Sequence, residues 1–479
     1  MADTRNADRL WTPEIIGIAT AFVLGAVLTI LDATIVNVAL PTLATDFHAS
    51  VATIQWVPTI YLLAFAAVIP LTGWASERFG AKRVWLAALA LFLAGSLLCA
   101  ASQTIGQLLA ARVLQGLGGG MLLPVGQTML ARVAGPHRMG RLMSVVGVPM
   151  LLAPIAGPVI GGALVAAGSW RRIFLVNIPV GALALAMAVR LLPSTPVRRD
   201  ARLDVRGLAL LPAGLAALVY GLAEASARGS LTAGRAVIPL LVGIALVTSY
   251  VLHARATTRP LVDVRLFTQR NFAAASATNF VLGVALFAVM LLLPLYLQGV
   301  RHLTPLHTGV LLIPQGLGAA IAMPIAGALT DRVGPRRVVL VGVVVAAAGV
   351  GMFTALAAGT SYLFFCAALL LVGAGLGATI TPAMAAGFRD LDQAAMPAAS
   401  SAIATVQRLA GSVGTALLGS LLAHESHVRA SLPDAFDATF VVALGLTAVA
   451  VLPALFLPGR PGAIPTAARP EAERVPVAR

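Results

Sequence analysis

Residues 73–83 read GWASERFGAKR, and residues 327–337 read GALTDRVGPRR. Aligned without gaps, Gly73 matches Gly327, Glu77 matches Asp331, Arg78 matches Arg332, Gly80 matches Gly334 and Arg83 matches Arg337, all at an offset of 254 residues. Each copy is polar, and each follows the second long apolar run of a six-run block. A polar signature that returns at this distance marks two like halves in one chain, an arrangement found in membrane transporters. The acid and the arginines at such a junction can pair with neighbouring helix ends and dipoles. They then form a latch that holds one packing state and breaks in the other. The blander reading is a plain basic loop at a membrane surface.

Outward from these segments the chain is apolar. Of 479 residues, 59% are hydrophobic and only 11% are charged, and the mean hydropathy is +0.93. A soluble protein carries roughly 25% charged residues, so a globule in water, a disordered chain and a secreted disulfide scaffold are all excluded. Apolar stretches long enough for a spanning helix, about 20 residues, lie near 15–41, 52–74, 84–103, 107–130, 142–166, 173–193, 207–226, 236–253, 272–299, 307–329, 338–358, 361–386, 400–423 and 438–457. The expected fold is an all-α integral membrane protein with fourteen spans. It divides into a six-helix half over 1–199, two additional helices over 200–260, a second six-helix half over 261–459 and a tail over 460–479. The polar start MADTRNADRLWTPE reads as a tail before an uncleaved first span.

The net charge of +15 points to topology, not to nucleic acid. With fourteen spans, 25 of the 33 Lys and Arg residues fall in the two tails and the alternate loops on their side, 6 fall in the opposite loops, and Arg112 and Arg408 lie inside spans. Cationic loops stay cytoplasmic, so both termini are expected in the cytoplasm, with anionic lipids against that face. Cys99 and Cys366 read as small buried hydrophobes. The seven histidines show no metal-ligand spacing beyond His424/His427, a pair that reads as exposed loop. No metal or cofactor is expected, nor is any catalytic motif present to support an enzyme.

Polar residues inside the spans carry the chemistry. Asp32 lies deep in the first span, where a carboxylate costs roughly 2.5–3.5 kcal/mol on insertion scales. An acid retained there is suited to exchanging a proton; a permanent structural ion pair is the alternative. Arg112, Gln115 and Gly119 follow at i, i+3 and i+7 on one face of the fourth span, at a depth similar to that of Asp32. In the fifth span, Ala153, Gly157 and Gly161 are spaced for close helix approach, with Pro154 and Pro158 beside them and Gly162 following. Asn37, Gln115, Asn177, Asn279, Gln298 and Gln315 are candidate cavity residues, although packing roles explain the uncharged ones equally well. Arg408 is either an interfacial anchor or a cavity cation. Glu224 reads as interfacial. Phe280, Phe287 and Tyr296 could contact a ring-bearing substrate.

These motifs resemble those of the major facilitator superfamily, in its fourteen-helix drug:proton antiporter branch. The 73–83 loop is similar to that superfamily's G-x-x-x-D-R-x-G-R-R/K loop, with Glu77 for the usual Asp and Ala81 for a base. Residues 31–41, LDATIVNVALP, resemble the first-helix motif, whose Asp the family implicates in proton coupling. RVLQG, from Arg112, is similar to the R-x-x-Q-G motif associated with proton transfer. APIAGPVIGG, from Ala153, is similar to the antiporter signature G-P-x-x-G-G, with Ala153 for the first Gly. WRRIFLVNIPVG, from Trp170, resembles the sixth-helix entry. The resemblance implies proton-driven export of drugs or other hydrophobic or amphiphilic molecules by a monomer in the cytoplasmic membrane, with protons and membrane lipids as further partners. Asp32 and Arg112 would be the proton-coupling pair. The second half lacks a mid-span acid, which some relatives use for divalent cations, and this favours monovalent or neutral amphiphiles. The alternatives are an exporter of an endogenous lipid, amino acid, siderophore or antibiotic, and an uptake symporter.

Overall fold

The computed structural model describes residues 13–459 other than 135, 195–196, 199, 229–233, 259, 357–358, 393–394 and 430. Arg5, Arg9, Arg199, Arg259 and the whole 460–479 tail lie outside the described residues. Helices make up most of the rest, and no strand occurs among the described residues.

The first block comprises α1 (Pro13–Asp46), α2 (Val51–Ile54), α3 (Trp56–Val68), α4 (Leu71–Phe79), α5 (Ala81–Ala101), α6 (Ile105–Ala134), α7 (Pro136–Ala166), α8 (Arg172–Leu175) and α9 (Asn177–Leu191). A hairpin of α10 (Val205–Arg228) and α11 (Gly234–Ala256) follows. The second block comprises α12 (Arg270–Gly299), α13 (Pro305–Val333), α14 (Pro335–Met352), α15 (Tyr362–Phe388), α16 (Met396–Val428), α17 (Leu432–Val449) and α18 (Val451–Ala454).

Helices occupy all fourteen apolar stretches read from the sequence. Among the described residues, eleven are long and apolar enough to cross a membrane, or up to twelve with α3 and α4 taken as one broken span. Helices α7 and α16 are not in that set; α16 carries Ser, Thr, Gln and Arg408 along its length. Large apolar side chains cover the outside, with Ile238 65% exposed, Leu241 61% and Leu363 81%. In water such a surface would drive aggregation, whereas acyl chains solvate it.

The 56° bend between α3 and α4 falls at Pro70, which lacks a backbone donor. At the bend the carbonyl of Ile69 accepts from the Thr72 amide at 3.1 Å, from Thr72 Oγ1 at 2.7 Å and from Ser401 Oγ of α16 at 2.9 Å. A sequence break in the first block is thus stitched to the second block. Nearby, a Cβ on Gly73 would lie 3.4 Å from the Pro397 carbonyl oxygen, so α4 and α16 run in close contact.

The apolar core is continuous across the blocks at the arginine-rich face and divided at the opposite face. One cluster joins Phe22, Trp85, Phe92, Leu130 and Leu142 of the first block to Phe272, Met384, Phe388, Met396 and Ile403 of the second. Toward the opposite face, Ile35, Val57, Leu108, Trp170 and Phe174 form one core. Leu293, Tyr296, Phe353, Leu418 and Phe436 form a separate one. The blocks are therefore closed on each other at the arginine-rich face and part toward the other.

Both copies of the repeated segment break the chain in the same way. Gly80 and Gly334 each have φ 86°, with ψ 135° and 153°. Glycine enters this region readily and other residues pay of order 1–3 kcal/mol. Gly80→Ala and Gly334→Ala should each lower the thermal unfolding midpoint of the purified protein. Gly106→Ala, where a Cβ meets nothing within 4 Å, should leave it unchanged.

Candidate functional site

Asp32 lies on α1 where the shared core gives way to the divided one. Leu28 belongs to the first cluster, and Ile35 and Val36 to the separate core of the first block. The carboxylate is 0% exposed. Oδ2 accepts from Arg112 Nη1 of α6 at 2.6 Å. Oδ1 accepts from Gln115 Nε2 at 2.8 Å and from Asn177 Nδ2, at the start of α9, at 2.9 Å.

The two amides also share a second acceptor. Ser96 Oγ of α5 accepts from Gln115 Nε2 at 2.7 Å and from Asn177 Nδ2 at 2.9 Å. Each amide thereby spends both of its N–H bonds, which fixes the way each side chain points. Gln115 Oε1 accepts from Arg112 Nη1 at 2.7 Å and from Cys99 Sγ at 3.6 Å.

Arg112 is 0% exposed. Its Nε donates to the Val57 carbonyl at 3.3 Å, and the guanidinium carbon sits 4.3 Å from the Tyr61 ring centroid. Tyr61 is held by a 3.3 Å hydrogen bond to the Thr29 carbonyl. Arg112 Nη2 and Asn177 Oδ1 are buried without a hydrogen-bond partner. The arrangement suits a charged carboxylate: three donors converge on an acceptor-only group, and a full positive charge balances it.

Glycines allow these helices to approach. A Cβ on Gly95 would lie 2.7 Å from Gln115 N, and one on Gly119 3.0 Å from Tyr61 Oη. On α7, Gly157 receives Thr34 and Gly161 receives Ile35 of α1; a Cβ at either position would strike those side chains. These two glycines seat α1 within one turn of Asp32. Gly162 faces open space, and the side chains of Pro154 and Pro158 lie outside the described residues.

Of the other candidates, Asn37 is exposed on α1 beyond Asp32. Asn279 is buried on α12, with Nδ2 bonded to the Ala275 carbonyl at 2.9 Å and Oδ1 unpaired. Gln298 is exposed near the end of α12 and Gln315 half-buried on α13. The structure gathers Gln115 and Asn177 at Asp32 and leaves the remaining four apart. Two members of the cluster, Ser96 and Tyr61, are absent from the sequence reading. Ser96 is the only hydroxyl in the run from Ala87 to Ala101, and that isolation was the available signal. Tyr61 looks like an ordinary apolar-span aromatic.

The first repeated segment is tied to the chain after α9. The Arg198 amide donates to the Glu77 carbonyl at 2.8 Å, and Arg198 Nη1 lies 3.9 Å from Glu77 Oε2. Trp74 Nε1 donates to the Ala201 carbonyl at 3.2 Å. Lys82 Nζ caps the C-terminus of α9, donating to the Val189 and Leu192 carbonyls at 2.9 and 2.6 Å, as suits a cation at a helix C-terminus. Arg78 is half-buried and Arg83 exposed. In the second copy, Asp331, Arg332 and Arg337 are exposed, and the neighbouring Arg336 amide donates to the Pro458 carbonyl at 3.3 Å.

Removing one member of a buried pair strands the other. Arg112→Leu should cost about 3–5 kcal/mol, read as a lowered unfolding midpoint in detergent. Adding Asp32→Asn should recover at least half of that loss. Equal losses in the single and double variants would show that the two residues are not one unit.

The sequence profile of the Major Facilitator Superfamily matches residues 22–415. The multidrug resistance protein B homolog of Mycobacterium tuberculosis (strain ATCC 25618 / H37Rv) is 44% identical over 406 residues, covering 84% of this chain and 75% of that protein. The putative multidrug resistance protein MdtD of Pectobacterium carotovorum subsp. carotovorum (strain PC1) is 31% identical over 428 residues, covering 89% and 91%. Among solved structures, the proton:xylose symporter XylE superposes with a TM-score of 0.64 at 15% identity, covering 91% of this chain and 94% of that one. That likeness shows a shared fold. A many-helix apolar chain that the family profile matches over most of its length is a multi-pass membrane protein of a transporter family: it belongs to the Major Facilitator Superfamily.

Proposed function

We propose that this protein exports drugs or other hydrophobic and amphiphilic small molecules across the cytoplasmic membrane in exchange for protons. The observation that carries the reading is the buried Asp32–Arg112 pair, set at the depth where the shared core ends. The names of the bacterial relatives, multidrug resistance proteins, support export over uptake.

Residues 1–199 and 261–459 act as the two rocking halves, residues 200–260 supply the two additional spans, and 460–479 is a tail. The charge bias of the loops supports a cytoplasmic location for both termini. The described state, closed at the arginine-rich face, is then outward-facing. The closure rests on α4 against α16, beside the first repeated segment, so Gly73, Glu77 and Arg78 belong to the latch.

Protonation of Asp32 removes the counter-charge of Arg112 and adds a donor that needs an acceptor. Asn177 can supply one: rotation of its amide would turn the unpaired Oδ1 toward the carboxyl. The cost of this rearrangement couples proton uptake to the packing of α1, α6 and α9, and so to the rocking of the halves. One proton crossing 100 mV supplies roughly 2.3 kcal/mol, enough for useful accumulation at one or two protons per cycle. The protein works as a monomer, since the site is complete within one chain.

In everted vesicles from an efflux-deficient host, a panel of dyes, antiseptics and antibiotics should reveal compounds moved by a proton gradient. Asp32→Asn should reduce that gradient-dependent movement at least tenfold. Movement that still follows the gradient at wild-type strength would remove Asp32 from the coupling role.

A further inference from the structure

Arg408 of α16 lies where the two blocks meet, against Phe65 of α3. On its inner side, Ile403 belongs to the shared core, against which Leu409 also packs. Nearly three turns further on, Leu418 belongs to the separate core of the second block. Arg408 thus lies in the part of α16 that packs on the shared core, inward of the point where the separate core of its own block begins. Its guanidinium carbon is 5.2 Å from the Phe65 ring centroid, and Phe65 in turn lies 5.9 Å, ring to ring, from Tyr61, on which Arg112 stacks.

Unlike Arg112, Arg408 has no anion. Among the described residues no carboxylate forms an ion pair with it, and Nε is buried without a hydrogen-bond partner. Thr405, one turn away, donates its hydroxyl to the Ser401 carbonyl at 2.8 Å. The guanidinium borders a narrow crevice, closed to water in the described state, whose other walls are apolar, with Ile69 just past α3, Leu215 and Val219 of α10, and Leu409 among them. A cation at this depth costs roughly 2.5–3.5 kcal/mol on insertion scales, and stacking on one aromatic ring returns only part of that. Asp32 and Arg112 cancel each other, whereas among the described residues no carboxylate compensates Arg408.

We propose that Arg408 is the counter-ion for an anionic group on the transported molecule, which makes amphiphilic organic acids a substrate class of this protein. The inference rests on the export reading for the word substrate and assigns that substrate's charge. The carboxylate of such a molecule pairs with the planar guanidinium through two parallel N–H···O bonds. Its apolar body lies along the Phe65 ring and the aliphatic walls. The pairing is available while the cleft is open to the level of Arg408.

The test is equilibrium dialysis of the full chain in nanodiscs against dansyl-labelled undecanoic acid and its methyl ester, each corrected with protein-free nanodiscs. The wild type should bind the acid at least tenfold more tightly than the ester. Arg408→Gln should bring that acid-to-ester ratio to within about twofold of unity, and Arg408→Lys should retain at least threefold. No acid preference in the wild type, an unchanged ratio in Arg408→Gln, or equal weakening of acid and ester in Arg408→Gln overturns the assignment. The measurement uses no proton gradient, so it reads the charge preference whether or not gradient-driven export is found.

Discussion

A carboxylate and a guanidinium 2.6 Å apart, both fully buried, impose the tightest constraint on this molecule. Each ion would be costly alone at this depth, and together they hold only if the remaining lone pairs and N–H groups are also met. Five helices contribute to that end. Helix α1 supplies Asp32, α3 the Val57 carbonyl and the Tyr61 ring, α5 Ser96, α6 Arg112 and Gln115, and α9 Asn177. Tight glycine contacts at Gly95, Gly119, Gly157 and Gly161 follow from the same requirement, because short polar side chains reach one carboxylate only if the backbones come close. The packing of the first block is thus organised around one charge.

Among the described residues, the second block contains no such pair. Its described cores are apolar, and its polar candidates bond within their own helices or stand apart. The shared core at the arginine-rich face joins the block that carries this pair to the other. Ser401 on the Ile69 carbonyl and Phe65 under Arg408 both attach α16 to the broken span that carries Tyr61, the ring against which Arg112 rests.

Much of this was legible in the sequence, for identifiable reasons. Span positions follow from hydropathy, because lipid tolerates little else, and helices stand at all fourteen stretches. The repeated segment pointed to Gly80 and Gly334, and both take the same glycine-only backbone. Asp32, Arg112 and Gln115 were legible because a charged or amide side chain deep in an apolar run has few bland explanations. Ser96 and Tyr61 were harder to see. A lone serine or tyrosine in a span is common, and only tertiary packing brings α3 and α5 against α6. Asn37 and Asn177 show the same limit in reverse: both are asparagines in apolar runs, yet one is exposed and the other donates to Asp32, a difference set by helix rotation.

The inserted hairpin fits this picture through its contacts. Near the arginine-rich face, Asp204 fastens the start of α10 to the end of α11 through His253 Nε2 at 2.8 Å. It also fastens α10 to the chain leading into α12 through the Leu261 amide at 3.3 Å. Toward the opposite face, Trp56 of α3 stacks on Tyr220 of α10 at 5.6 Å, and Ser420 of α16 donates to the Ala225 carbonyl at 3.1 Å. Helix α10 therefore touches both blocks where their own cores have separated. It is also one wall of the crevice at Arg408. A helix in that position screens the charge from lipid on one side of the cleft, which lowers the cost of leaving Arg408 without a permanent partner. A protein in which α3 and α16 met lipid directly at this depth would have stronger reason to neutralise that arginine with an acid of its own.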